Sequence, residues 1–205
     1  MHNFHYSQGE LYCEEIPLSR IAKEVGTPCY VYSHATLVKH YRAFDSAFQD
    51  VPHIVAFAIK ANSNLAILRL MAREGSGADI VSGGELFRAV KAGVSPSKIV
   101  FAGVGKSRDE IRYALKTDVL MFNVESSAEL RAIDDVAAEL RLKARVALRI
   151  NPDIDPKTHP YISTGLKKSK FGISADRAVE EFKLASSLQH IEVVGVHAHI
   201  GSQLT

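Results

Sequence analysis

The sequence predicts an α/β fold: a (β/α)8 barrel of the TIM type, interrupted after about its sixth strand. Three observations predict it. Short apolar runs alternate with stretches of helical period along the chain. The runs are apolar at successive positions rather than at every second one, which suits strands covered on both faces, as in a parallel sheet. The strand-helix unit also recurs at intervals of roughly 20 to 25 residues, as expected of parallel strands joined by crossover helices.

The strands are predicted at 54–61 (IVAFAIKA), 78–82 (ADIVS), 99–103 (IVFAG), 120–124 (LMFNV), 145–151 (RVALRIN) and 193–200 (VVGVHAHI). A helix is predicted over 64–74, with Asn64 as its N-cap and Gly75 just past its end, where a left-handed residue closes a helix. The helix over 84–92 stops at Gly93 in the same way. Those over 107–116 and 126–142 each open with serine followed three residues later by glutamate (Ser107 with Glu110, Ser126 with Glu129), the pattern of a capping box. The last helix, 175–188, has Ser174 at its start.

Six such strands suit either a doubly wound open sheet or most of a barrel. A complete barrel takes about 250 residues. Residues 1–51 precede the first strand, so the 52–205 body is short of that, and the sixth strand ends almost at Thr205. We read 52–205 as an incomplete barrel domain. Residues 1–51 read as a lead-in segment packed on it, with a short strand at 30–32 and a helix at 33–48 capped by Ser33. There is no internal repeat and no low-complexity tract.

Charge excludes some functions. Lys plus Arg is 25 and Asp plus Glu is 23, a net charge of +2. The nearest thing to a basic run, Lys167-Lys168-Ser169-Lys170, is short, so no electrostatic case exists for nucleic acid. The polar start carries no apolar signal region, and no stretch approaches the roughly 20 apolar residues of a membrane span. Cys13 and Cys29 have neither disulfide-framework nor zinc-site spacing. A cytoplasmic protein is the expectation.

Several residues have the chemistry of a site. Lys60 ends the first apolar strand, at the end where barrel active sites lie. Apolar neighbours that strip its hydration favour a neutral, nucleophilic amine suited to Schiff-base chemistry. A lysine simply emerging into solvent is the commoner case on position alone. His197 and His199 share a strand face, where they suit a divalent metal, a planar cofactor or proton relay. One incidental core histidine is the plainer alternative. Gly201-Ser202-Gln203 follows as a turn with a hydroxyl and backbone amides suited to phosphate, or as an ordinary strand-end turn. Asp79 and Arg149 are charges inside apolar runs, so each needs a ligand or an ion-pair partner.

The loop 152–172 (PDIDPKTHPYISTGLKKSKFG) is long for a compact domain. Such loops are commonly functional, and His159-Pro160-Tyr161 gives this one a rigid aromatic segment. A solvated insertion is the alternative. Gly103-Val104-Gly105-Lys106-Ser107 lacks the spacing of a P-loop and reads as a helix start capped by Ser107.

Together these segments resemble a known family. Ala58-Ile59-Lys60-Ala61-Asn62 is similar to the YA(V/L)KAN signature of fold-type III pyridoxal-phosphate (PLP) enzymes, the alanine racemase-like class. Residues 77–86 (GADIVSGGEL) resemble its GADVVSGGEL block. Arg149-Ile150-Asn151-Pro152, HPYISTG (159–165), SKFG (169–172) and HAHIGSQ (197–203) follow in the family's order. The likeness covers nearly the whole chain and is weakest before about Thr27. HPYISTG and HIGSQ resemble the diaminopimelate decarboxylase branch.

The resemblance implies that Lys60 binds PLP and is the catalytic lysine, with no metal. It implies that His199 stacks on the pyridine ring, that Ser202 lies near the phosphate, and that Asp79 and Arg149 line the pocket. It also implies an amino-acid substrate, decarboxylation of meso-diaminopimelate to L-lysine, and a homodimer with no nucleic-acid or membrane partner. The alternatives are another enzyme of the class (an arginine or ornithine decarboxylase, or a racemase), a non-catalytic PLP carrier, and a metal-dependent hydrolase using both histidines. Family members run to roughly twice this length, with further strand-helix units, an EPGR-type segment and a C-terminal β-domain carrying a CESGD-like motif. These residues alone are therefore expected to be inactive, with open strand edges.

Overall fold

The structure is a computed structural model that describes residues 2–152 and 171–201. Its main body is a parallel sheet whose strands run β4 (Ala56–Ala58), β5 (Gly77–Ile80), β6 (Ile99–Phe101), β7 (Met121–Val124), β8 (Ala144–Asn151) and β10 (Ile191–His197). Their spatial order is their chain order, and every pairing is parallel. A doubly wound sheet reverses its order at a switch point. This one does not, which is the arrangement of a barrel arc. A two-residue strand, β9 (Ile173–Ser174), pairs with the end of β8.

Helices α3 (Leu65–Arg73), α4 (Gly83–Ala92), α5 (Arg108–Thr117), α6 (Ser127–Leu140) and α7 (Ala178–Ser187) connect these strands. Local chemistry starts and stops them. Asn64 caps α3, accepting from the Ala66 N–H, and Gly93 ends α4 in the left-handed region at φ 96°. The Ser107–Glu110 capping box at α5 forms in full. At α6 only half of the expected box forms. Ser126 accepts from the Glu129 N–H, but the Glu129 carboxylate turns to Lys106 and the Glu125 N–H instead. Ser174 makes no side-chain cap, because a 3-10 turn (Ala175–Arg177) separates it from α7.

Across β5 to β8, Ile80, Phe101, Phe122 and Val146 stand level in neighbouring strands. All four are buried and share one core with Leu86, Ile111 and Leu130 of the helices. Burying each such side chain stabilises the fold by roughly 1.5–3 kcal/mol. Gly77 opens β5 at a crowded point, where a Cβ would lie 2.3 Å from the Lys98 carbonyl oxygen.

Some expectations are corrected. The first strand is only three residues long, because β5 begins at Gly77 and offers partners to Ala56, Phe57 and Ala58 alone. Ile59–Ala61 forms a 3-10 turn. The sixth strand begins earlier than expected and ends at His197. Residues 30–32 are not a strand: no strand pairs with them among the described residues, and Tyr30 is 91% exposed. The early residues instead form an antiparallel meander, β1 (Phe4–Ser7), β2 (Glu10–Cys13) and β3 (Ile16–Pro17), then α1 (Leu18–Val25) and α2 (His34–Ser46). Ser33 caps α2 as expected.

Candidate functional site

Parallel strands deliver all their C-terminal ends to one edge of the sheet. Lys60 sits in the turn after β4, Asp79 near the end of β5, Glu125 directly after β7, Arg149 late in β8, and His197 and His199 at and beyond the end of β10. All six line one cavity of about 480 Å³, and the loop Gly103–Gly105 after β6 completes the wall. Lys60, Asp79, Arg149 and His199 are thus brought together as the sequence suggested. Ser202, Gln203 and residues 153–170, with His159-Pro160-Tyr161, lie outside the described residues.

One placement differs from expectation. Lys60 is exposed, whereas its neighbour Ile59 is fully buried. The 3-10 turn rotates Lys60 out of the strand's alternation, so the desolvation argued from its apolar flanks does not describe this side chain.

The register of β10 against β8 sets the histidines. Val193 pairs with Val146 but Gly195 pairs with Ala147, leaving Val194 as an extra residue, a β-bulge. The shift places His197 opposite Arg149. Arg149 donates from Nη1 to Glu125 Oε1 at 2.9 Å, with side chains 12% and 3% exposed, and its guanidinium lies 5.5 Å from the Phe171 ring centre. Arg145, at the other end of β8, is by contrast held by Asp118 and the carbonyls of Val119 and Leu120, a structural role.

Burial and neighbours tune the titratable groups. Burial, reinforced by the Arg149 charge, pushes His197 down to about 4, with Glu125 opposing. His199 is lowered by the same two causes and by Lys60. Both imidazoles are therefore neutral near pH 7, suited to stacking and hydrogen bonding rather than to carrying charge. Burial raises Asp79, and the nearby Lys60 pulls against it. Two buried polar atoms, Glu125 Oε2 and His197 Nδ1, have no hydrogen-bond partner among the described residues. Both belong to residues that line the cavity, and buried polar atoms left unpaired are uncommon in folded proteins.

Glu125 lines the cavity but is not among the residues that the sequence singles out. Glu125 carried the same signal as Lys60, a charge at the end of an apolar run. Among the described residues no cluster of three His, Cys, Asp or Glu side chains is placed to hold a metal ion, so His197 and His199 lack a third ligand there.

A parallel α/β sheet with a lysine, an arginine, an aspartate and neutral imidazoles at its C-terminal edge defines a class. The chain belongs to the pyridoxal-dependent decarboxylase family, whose pyridoxal-binding domain matches residues 34–205. Within that family it is similar to the diaminopimelate decarboxylases. That of Pseudomonas aeruginosa is 56% identical over 205 residues, covering 100% of this chain and 49% of the relative. That of Vibrio cholerae is 54% identical over 206 residues, with 100% and 49% covered. The crystal structure of the Helicobacter pylori diaminopimelate decarboxylase complexed with L-lysine has a TM-score of 0.88 at 49% identity, covering 91% of this chain and 48% of that one. The chain spans about half the length of the curated relatives it matches.

Proposed function

We propose that the full-length protein carrying this chain is a PLP-dependent decarboxylase that converts meso-diaminopimelate to L-lysine and CO₂, the last step of lysine synthesis. The observation that carries this reading is the convergence of Lys60, Asp79, Arg149, His197 and His199 on one cavity at the C-terminal ends of six parallel strands. The cavity fits the cofactor. It offers a primary amine to an aldehyde, two neutral imidazoles to a flat aromatic ring, and a cation and a carboxylate to polar ring substituents. When bound, PLP supplies an electron sink for the carbanion left as carboxylate departs, chemistry that belongs to the cofactor.

The chain's own residues bind and orient. Lys60 holds the cofactor covalently and His199 stacks on its ring. Asp79 and Arg149 fix its polar edge. Ser202, outside the described residues, would lie near the phosphate. Similarity to diaminopimelate decarboxylases, one of them complexed with L-lysine, supports the choice of substrate. On this reading 52–205 is barrel and 1–51 its lead-in, the protein is a cytoplasmic homodimer, and it has no nucleic-acid or membrane partner. No described helix is long and apolar enough to cross a membrane.

The test is borohydride reduction of the full-length protein with PLP, followed by peptide mass mapping and a CO₂-release assay. A pyridoxyl adduct on Lys60 and release from meso-diaminopimelate are expected. A folded protein with PLP supplied and no adduct overturns the cofactor assignment. An adduct with release only from arginine or ornithine overturns the substrate.

A further inference from the structure

Lys106 is a buried cation that the proposed chemistry leaves unused. Its side chain is 0% exposed. Its ammonium donates to the Gly103 carbonyl at 2.7 Å, the Asn123 carbonyl at 3.0 Å and Glu129 Oε1 at 2.5 Å. Three donors thus meet three acceptors, which is what a buried ammonium needs to be tolerated. Each acceptor sits on a different element: the loop after β6, which lines the cavity, strand β7, and the first turn of α6.

Glu129 passes the contact on. Its Oε2 accepts the Glu125 backbone N–H at 2.9 Å, and Glu125 Oε1 accepts from Arg149 Nη1 at 2.9 Å. The arrangement exists because Ser126 caps α6 without the reciprocal glutamate bond, leaving the Glu129 carboxylate free to face inward. The contacts therefore run from Lys106 through the Glu129 carboxylate to the backbone of Glu125, whose side chain in turn holds the guanidinium that lines the cavity.

We propose that Lys106 is a positioning residue for the ligand cavity, acting through Glu129 and Glu125 to set the guanidinium of Arg149. This rests on the cavity being the PLP site. Lys106 itself need not touch the ligand. Glu129 is the coupling element, because one of its oxygens accepts from Lys106 and the other from the Glu125 N–H. Glutamine in the same rotamer puts an NH2 donor where one of those two oxygens accepts, so one of the two bonds is lost.

The test uses the full-length protein, stripped of cofactor and titrated with PLP, in four forms: parent, E129Q, R149M and E129Q/R149M. A K106M/E129L pair, alone and with R149M, removes the buried ion pair as a unit, so that no charge is stranded. Circular dichroism checks folding, and E129Q decides the matter where the double replacement does not fold. In the parent background each change is expected to raise the PLP dissociation constant about tenfold and to move the absorbance-pH titration of the bound cofactor. In the R149M background the same change is expected to alter binding less than twofold, because the effect travels through Arg149. Equal weakening in both backgrounds, or unchanged binding and absorbance in the parent background, overturns the proposal. A parent that forms no borohydride adduct at Lys60 overturns the PLP reading and this inference with it. A labelled parent whose E129Q form binds PLP as tightly overturns this inference alone.

Discussion

His197 stands level with Arg149, across β10 and β8, because Val194 is an extra residue in β10. Without that bulge the pairing would continue one residue out of step and the imidazole would face the other side of the sheet. The guanidinium beside it, together with burial, is why this histidine resists protonation.

A pH dependence of stability follows. His197 titrates at about 4 in the fold, below its ordinary 6.5. Between those values the unfolded chain binds the proton more readily, so stability falls as pH drops from 6.5 toward 4, and this residue has no effect above that window. The gap is worth roughly 3 kcal/mol at most, and partial exposure reduces it. Asp79, raised by burial above its ordinary 3.8, acts oppositely: its contribution is lost as pH rises through its folded value. Urea denaturation of the cofactor-free full-length protein at pH 4.5 and 7 is the measurement. H197Q is expected to lose about 1–2 kcal/mol less than the parent on acidification. Parallel losses would sink the assignment.

The Arg149–Glu125 pair predicts asymmetric costs. Both side chains are buried, so E125A strands a guanidinium, which typically costs about 3–5 kcal/mol. The double variant E125L/R149M removes both charges and is expected to cost less than E125A alone. Denaturant midpoints of the three proteins check the order, and a double variant less stable than E125A contradicts it.

Gly103 and Gly105 flank Val104 in the cavity wall but are not equivalent. Gly103 has φ +91°, and a Cβ there would lie 3.2 Å from the Val81 Cβ, whereas a Cβ on Gly105 meets nothing within 4 Å. G103A is expected to lose about 1–2 kcal/mol from the left-handed backbone alone, and G105A less than about 0.5 kcal/mol. Thermal or urea melts of the two variants distinguish them.

Lys60 separates stability from activity. Its side chain is exposed and no hydrogen bond or ion pair holds it among the described residues. K60A is expected to change stability by less than about 0.5 kcal/mol while abolishing both the borohydride adduct and CO₂ release. Retained release would show that the lysine is not required.

The helices were legible because their signals are local. Asn64, Gly93, Ser107 and Glu110 satisfy or end backbone hydrogen bonds within a few residues of themselves, wherever the helix packs. The early meander is not legible in the sequence because strands of four, four and two residues with a single buried side chain, Cys13, carry little hydrophobic period. Glu129 shows a limit of local reading. Its spacing from Ser126 announces a capping box, yet a buried lysine from the preceding strand-helix unit takes its carboxylate.

The sequence by itself determined the parallel α/β class, the order of strands and helices, and the residue types that converge at one sheet edge. Apolar runs and caps act over short distances and do not depend on the rest of the fold. Only the tertiary structure decided which groups meet: the bulge at Val194 that sets His197 beside Arg149, the turn that exposes Lys60, and the path from Lys106 through Glu129 to Glu125. Those depend on register and on contacts between separate strand-helix units, where a shift of one residue exchanges the faces of a strand.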